Sequence, residues 1–243
     1  MKLQGVIFDL DGTLVDSEPN WHVSDTAFVE HFGGTFDEPW REQCVGMGSR
    51  AFAAVVKKRF NLHQPLEELE ALKDRLYLDA ARGHTKVFPE MEKLVKGFAV
   101  QGMPMAVASG SSLQVIEAVL KDTGLRPYFR AVFSSDETKN AKPAPDVFLL
   151  AARKLDLSPK VLLVMEDSQH GVEAAKAAGM RVCALPGVWP KGGEESLRKA
   201  DLLFEKGPSE FRAEEVLEWI DRTYCQCDDC TLYEMGVCHD PED

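Results

Sequence analysis

Two aspartates one residue apart, Asp9 and Asp11, follow directly on the uncharged run Val6-Ile7-Phe8, with Gly12 and Thr13 next. The run is short and rich in β-formers, the pattern of a strand buried on both faces. Residues two apart on an extended chain point the same way, so the two carboxylates share one small space. Like charges about 4 Å apart repel by roughly 4 kcal/mol at a protein-like dielectric. A divalent cation relieves that repulsion, and an oxygen-only donor set suits Mg²⁺. The same cation lets an anionic carboxylate approach an anionic phosphate, with Asp9 attacking phosphorus and Asp11 moving the proton. Gly12 permits a sharp turn, and Thr13 adds a hydroxyl and an amide. Alone, these residues read equally well as an acidic turn after a core strand.

Three other stretches carry matching chemistry. Ser109-Gly110-Ser111 offers hydroxyls and amides at a helix start, either a phosphate cradle or a plain N-cap. Lys142-Pro143-Ala144-Pro145 holds a lysine in a stiffened loop, either a fixed positive charge for a phosphate or a solvated one. Glu166 and Asp167 follow five apolar residues and precede Ser168, so they either complete a metal site or open a capped helix. Acids, hydroxyls, a lysine and acids again form the set that Mg²⁺-dependent phosphoryl transfer requires.

What must position these residues is an alternation of strands and helices. Beyond Pro89, which opens a helix ending at Gly102, strands are expected at 105–108, 131–133, 161–165, 181–184 and 201–204. Helices are expected between them at 113–121, 146–155 and 172–178, and a last one at 211–222. Such alternation implies an α/β fold with a parallel sheet, whose ligands bind beyond the carboxyl ends of the strands. The segment from Trp21 to Gly83 differs: apolar residues recur at helical spacing, as in Phe28 with Phe32 and Leu66, Leu69, Leu72, Leu76, and no β-rich run appears. It reads as an inserted all-helical unit, entered through Asp16-Ser17-Glu18-Pro19, with Ser17 or Asp16 as cap, and left near Thr85 to Phe88. The division expected is a catalytic core of residues 1–16 and 87–222, a helical cap of 17–86 and a Cys-rich acidic tail of 223–243.

The 243 residues suffice for a full core, and 44% hydrophobic with 28% charged residues is ordinary for a globular protein. A net charge of −12 argues against a partner with a phosphate backbone. The first residues carry no leader pattern, and the longest uncharged stretch, Gly97 to Ile116, is broken by Gly102, Pro104 and a serine cluster. A soluble, cytoplasmic monomer with no membrane and no nucleic-acid partner is expected.

With these motifs in hand, the sequence resembles the haloacid dehalogenase-like phosphohydrolase superfamily. Asp9-Leu10-Asp11-Gly12-Thr13, Ser109-Gly110, Lys142-Pro143 and Glu166-Asp167-Ser168 match its four signatures in order and spacing, over about residues 3–205. The resemblance implies a Rossmann-like core with a helical cap inserted after the first motif. It also implies an aspartyl-phosphate on Asp9, Asp11 as general acid/base, and Ser109 and Lys142 on the phosphoryl oxygens. Mg²⁺ would lie on Asp9, the Asp11 carbonyl and Asp167, with Glu166 adjacent. The substrate implied is a small phosphomonoester of a sugar, polyol or nucleoside.

Dehalogenases of the superfamily lack the second aspartate, so Asp11 speaks against them. A phosphosugar mutase of the β-phosphoglucomutase type is the alternative, but that branch carries a histidine where this chain has Trp21, with His22 next to it. A non-catalytic phosphoester binder is a further alternative, against which the complete acid set speaks. Substrate choice is assigned to the cap through Trp21, His22, Gly46, Met47, Gly48 and Arg50, and Trp21 reads either as a stacking platform or as a core aromatic. Glu90, after Pro89, stands where relatives commonly have glycine. Cys225, Cys227, Cys230 and Cys238, beside His239, crowd the tail outside the resemblance and read either as a small structural Zn²⁺ site or, with Asp228, Asp229 and the closing Asp240-Pro241-Glu242-Asp243, as a solvated tail.

Overall fold

The computed structural model describes residues 2–44, 47–189 and 192–224. At its centre is β1 (Gly5–Phe8), whose four residues are all buried. It pairs in parallel with β4 (Met105–Ser109) on one side and β6 (Leu162–Glu166) on the other, Ile7 lying opposite both Ala106 and Val164. Outside these lie β5 (Ala131–Ser134), then β7 (Arg181–Ala184) and β8 (Leu202–Leu203), giving the order β5-β4-β1-β6-β7-β8 with every pair parallel.

The period of two in a strand divides the core between the faces of this sheet. Val6 and Phe8 join Val107, Leu163 and Met165 against α5 (Pro89–Val100), α6 (Leu113–Asp122) and α10 (Ala213–Tyr224). Ile7, Ala106, Ala108 and Val164 face α7 (Asp146–Leu155), α8 (Gln169–Ala177) and the short α9 (Glu194–Leu197). Burying both faces explains why the strands read as unbroken apolar runs. The fold is the expected α/β, Rossmann-like parallel sheet flanked by helices.

Between β1 and α5 the chain runs through β2 (Val15–Asp16), four helices and β3 (Lys86–Val87). The helices α1 (Glu18–His31), α2 (Glu38–Cys44), α3 (Ser49–Arg59) and α4 (Leu66–Ala81) enclose their own apolar cluster of Phe28, Val29, Trp40, Phe52, Val56 and Leu69. The two ends of this segment pair antiparallel, Val15 with Val87 and Asp16 with Lys86. The sequence alone reads there as a linker and an exit loop, because two-residue strands carry no periodicity. Ser17 stands at the N-cap of α1 but its side chain makes no capping bond, so that expectation fails in detail. Cys44 and Cys183 are free and buried, as ordinary interior residues. No helix among the described residues is long and apolar enough to cross a membrane.

Candidate active site

The carboxyl ends of β1, β4 and β6 meet at one place, and the loop after β5 reaches it. Asp9 continues the β1 ladder through its amide, which donates to the Met165 carbonyl at 2.9 Å, so its side chain is aimed by the sheet itself. Its Oδ1 accepts from Lys142 Nζ at 2.6 Å, and the same ammonium donates to Glu166 Oε1 at 2.7 Å and the Ala108 carbonyl at 3.1 Å. Lys142 is thus clamped between two buried acids. Burial works against its charge, but Asp9 and Glu166 more than offset this and hold the ammonium above its ordinary range. The Asp9 carboxyl is pushed up to about 7 by burial; Lys142 opposes the rise, while Glu166 and Asp11 add to it.

Asp11 turns away from this cluster. Gly12, at φ +71°, reverses the chain, and the Asp11 carboxylate accepts from the Trp21 indole N–H at 2.9 Å and from Ser111 Oγ at 2.7 Å. Trp21 therefore contacts the site rather than serving only as filler: its ring lies 3.9 Å from Tyr77 and 4.3 Å from the Lys73 ammonium. Ser109 is buried, and its Oγ accepts from the Ser111 amide at 3.1 Å. The Ser111 carbonyl accepts from Ser134 Oγ at 2.7 Å, and Ser112 caps α6 through the Val115 amide. Gly110 follows Ser109 at the exposed tip of that loop.

Glu166 is the last residue of β6, with no exposed surface. Its Oε2 accepts from the amide and hydroxyl of Ser168 at 2.7 and 2.9 Å. Ser168 also caps α8 through the Gly171 amide. Only glycine fits at 171, where a Cβ would stand 1.6 Å from Glu166 Oε1. With both oxygens engaged inside the protein, Glu166 orients Lys142 rather than facing the space between Asp9 and Asp167. Asp167 lies against the β1–β2 turn: a Cβ on Gly12 would fall 2.2 Å from its Oδ2. Its one hydrogen bond among the described residues is a long one, from Thr13 Oγ1 at 3.4 Å. Burial, then Glu166 and Asp9, hold its carboxyl well above the usual range.

The residues present fit a small hard dication. Asp9 and Glu166 hold the Lys142 ammonium, the acids offer only oxygen donors, and Asp167 is an under-bonded acid whose charge acts on Asp9. Among the described residues no three His, Cys, Asp or Glu side chains converge on one point as a cage. Asp11 and Glu166 account for this, since the first is turned to Trp21 and the second to Lys142 and Ser168. Cys225, Cys227, Cys230 and Cys238 lie outside the described residues, as does Gly46.

The other cap residues divide. Gly48 approaches the core so closely that a Cβ there would meet the Gly110 carbonyl oxygen at 3.0 Å. Arg50 is exposed and held by α4, donating to Glu70 at 2.7 Å and Glu67 at 3.1 Å. Met47 and His22 are exposed, His22 near Glu18 and Asp25. Sequence reasoning missed Lys73, Asp74 and Tyr77, all buried on α4. Lys73 is paired with Asp25 at 2.7 Å and Ser24 at 2.9 Å, and burial lowers its pKa against the pull of those acids. The available signal was their i, i+1, i+4 spacing, masked by the leucines between them.

The family model described as haloacid dehalogenase-like hydrolase matches residues 6–185. The fructose-1-phosphate phosphatase of Escherichia coli strain K12 is 34% identical over 183 residues, covering 74% of this chain and 94% of that protein. A probable pseudouridine-5'-phosphatase of Drosophila melanogaster is 32% identical over 193 residues, covering 76% and 82%. Among solved structures, CbbY from Rhodobacter sphaeroides in complex with phosphate superposes with a TM-score of 0.74 at 26% identity, covering 86% of this chain and 96% of that one.

Proposed function

The chain belongs to the haloacid dehalogenase-like hydrolases, and we propose that it is a Mg²⁺-dependent phosphatase of a small phosphomonoester working through an aspartyl-phosphate on Asp9. It is a phosphoric monoester hydrolase, as its relatives' sugar-phosphate and nucleoside-phosphate chemistry supports. The observation that carries the finer reading is the Lys142 bridge between Asp9 and Glu166, with Asp11 held apart by Trp21 and Ser111. One acid is thereby kept for attack and the other for proton transfer.

In this reading residues 1–16 and 87–222 form the catalytic core, 17–86 the cap and 223–243 a separate tail. The ester's phosphoryl group sits over Asp9, with the Ser109 hydroxyl, the Gly110 amide and Lys142 facing its oxygens. Asp9 Oδ attacks phosphorus in line, the ester bond breaks, and Asp11 gives its proton to the departing alkoxide. The ionised Asp11 then takes a proton from water, which attacks phosphorus and returns Asp9 as carboxylate. Trp21 and Ser111 hold both oxygens of Asp11, so its orientation is fixed before substrate arrives. Asp9, the Asp11 carbonyl and Asp167 would hold Mg²⁺, which would supply neutralisation of the charge between nucleophile and phosphate.

The mutase alternative has less support, because the cap position facing Asp11 is Trp21 and the cap arginine, Arg50, is already engaged by two acids. Phosphate release from an aryl phosphate and a panel of sugar, polyol and nucleoside monophosphates, with Mg²⁺ and with chelator, tests the proposal. Release requiring Mg²⁺, and lost by about a thousandfold or more in Asp9→Asn, is expected. Full activity of Asp9→Asn contradicts the nucleophile assignment, and turnover only with a bisphosphate primer supports the mutase.

A further inference from the structure

Lys73, Asp74 and Tyr77 form a buried polar stripe on α4, between the apolar Leu69 and Ala81. Lys73 is the member with a full charge and no part in the steps above: its side chain is 1% exposed. Its ammonium donates to Asp25 Oδ1 at 2.7 Å and to Ser24 Oγ at 2.9 Å. Stability alone does not ask for such a pair, since exchanging a buried ion pair for apolar side chains is often neutral or stabilising. What the ammonium reaches besides its partners is Trp21. It stands 4.3 Å from the centre of the indole ring, and Ser24, which it holds, donates its hydroxyl to the Trp21 carbonyl at 3.0 Å. The Tyr77 ring packs on the same indole, with centroids 3.9 Å apart. Ring and backbone of Trp21 are thus both fixed from α4.

The fixed indole ends on the Asp11 carboxylate: its N–H donates to Oδ1 at 2.9 Å, while Ser111 Oγ donates to Oδ2 at 2.7 Å. A cation over an aromatic face draws electron density toward itself, which makes the ring N–H a stronger donor. An indole N–H can only donate, so Oδ1 stays an acceptor and the proton that Asp11 passes on falls to Oδ2. In the first displacement the ester P–O bond breaks, its electron pair goes to the departing oxygen, and that proton is delivered there. The orientation of Asp11 therefore matters most for a leaving group that departs poorly as an anion. An alkoxide needs the proton; p-nitrophenolate leaves without it.

Resting on the hydrolase reading, we infer that Trp21 and Lys73 are a positioning pair for proton transfer by Asp11: the indole N–H orients the carboxyl, and the buried ammonium acts on Asp11 through the indole. The test measures kcat/KM, which reports the first displacement, for benzyl phosphate and p-nitrophenyl phosphate. These esters each carry one ring and differ in the leaving oxygen. The full chain is used with Mg²⁺, as wild type, as Trp21→Phe, as Lys73→Gln made together with Asp25→Asn, and as all three combined. Trp21→Phe keeps a ring against Lys73 and Tyr77 and removes the N–H. The Lys73→Gln and Asp25→Asn exchange removes both charges and leaves neither buried alone. Trp21→Phe and the paired exchange should each lower the benzyl to p-nitrophenyl ratio by about tenfold, and the combination no further than Trp21→Phe by itself. A ratio unmoved in Trp21→Phe or in the paired exchange means a structural role and overturns the inference. So does a combined loss near a hundredfold, which makes the two residues independent. A heavier loss on p-nitrophenyl phosphate overturns it too, because the indole then stacks on substrate. Absence of phosphate release from both esters in the wild type overturns the hydrolase reading and takes the inference with it.

Discussion

Asp9 is held under opposing demands, and its surroundings turn a catalytic need into a cost in stability. Burial, Glu166 and Asp11 push its carboxyl up to about 7, against the pull of Lys142. Between the ordinary carboxyl range and that value, the folded chain keeps a proton that the unfolded chain has released. Stability of the metal-free protein therefore falls as pH rises through this window, and Asp167 acts in the same direction. Thermal melts from pH 4 to 8 in chelator should show the fall, Mg²⁺ should reverse it mainly at the upper end, and Asp9→Asn should flatten it. Lys142 carries the opposite weight: Lys142→Met leaves Asp9 and Glu166 buried without their shared cation. A loss of about 3–5 kcal/mol is expected in denaturant unfolding, together with loss of activity. At this scale the acids and Ser109 were legible because each follows an apolar run, and Lys142 because two prolines stiffen the loop that carries it. Lys73 was not, since a lysine among Glu67, Glu68, Glu70 and Asp74 reads as part of a solvated face, and its partners Ser24 and Asp25 lie on another helix.

Among the elements, turns and helix ends decide where these side chains point. Gly12 combines φ +71° with a carboxylate 2.2 Å from where a Cβ would be. Gly12→Ala should therefore displace Asp167, weakening Mg²⁺ in a titration monitored by melting temperature and lowering kcat, while the sheet survives. Glu90 does structural work of its own: its Oε2 accepts from the Ala213 amide at 3.0 Å, at the first turn of α10. Glu90→Ala removes an acceptor from a helix N-terminus and should cost about 1 kcal/mol in denaturant midpoint, with kcat for an aryl phosphate retained. The strands and the long helices were legible from periodicity. The β2–β3 ribbon was not, because its pairing joins segments separated by the whole helical insertion, and two residues are too few to show a pattern.

At the scale of the molecule, a central strand buried on both faces delivers two acids to the edge of a parallel sheet, and four helices are inserted where the next strand would otherwise begin. The sheet supplies phosphate chemistry from four strand ends, and the helical insertion supplies the polar stripe of α4. The first was readable because its residues are local to strand ends. The second depends on which face of α4 meets the core, which only tertiary packing decides.

The central claim is that phosphorus passes through Asp9 in two successive displacements, and the stereochemistry of hydrolysis reads this directly. A phosphorothioate monoester made chiral at phosphorus by sulfur and two oxygen isotopes, hydrolysed in water carrying the third isotope, should give inorganic thiophosphate with net retention, since two in-line displacements each invert the centre. Net inversion would mean that water attacks the ester in one step and that Asp9 never carries the phosphoryl group.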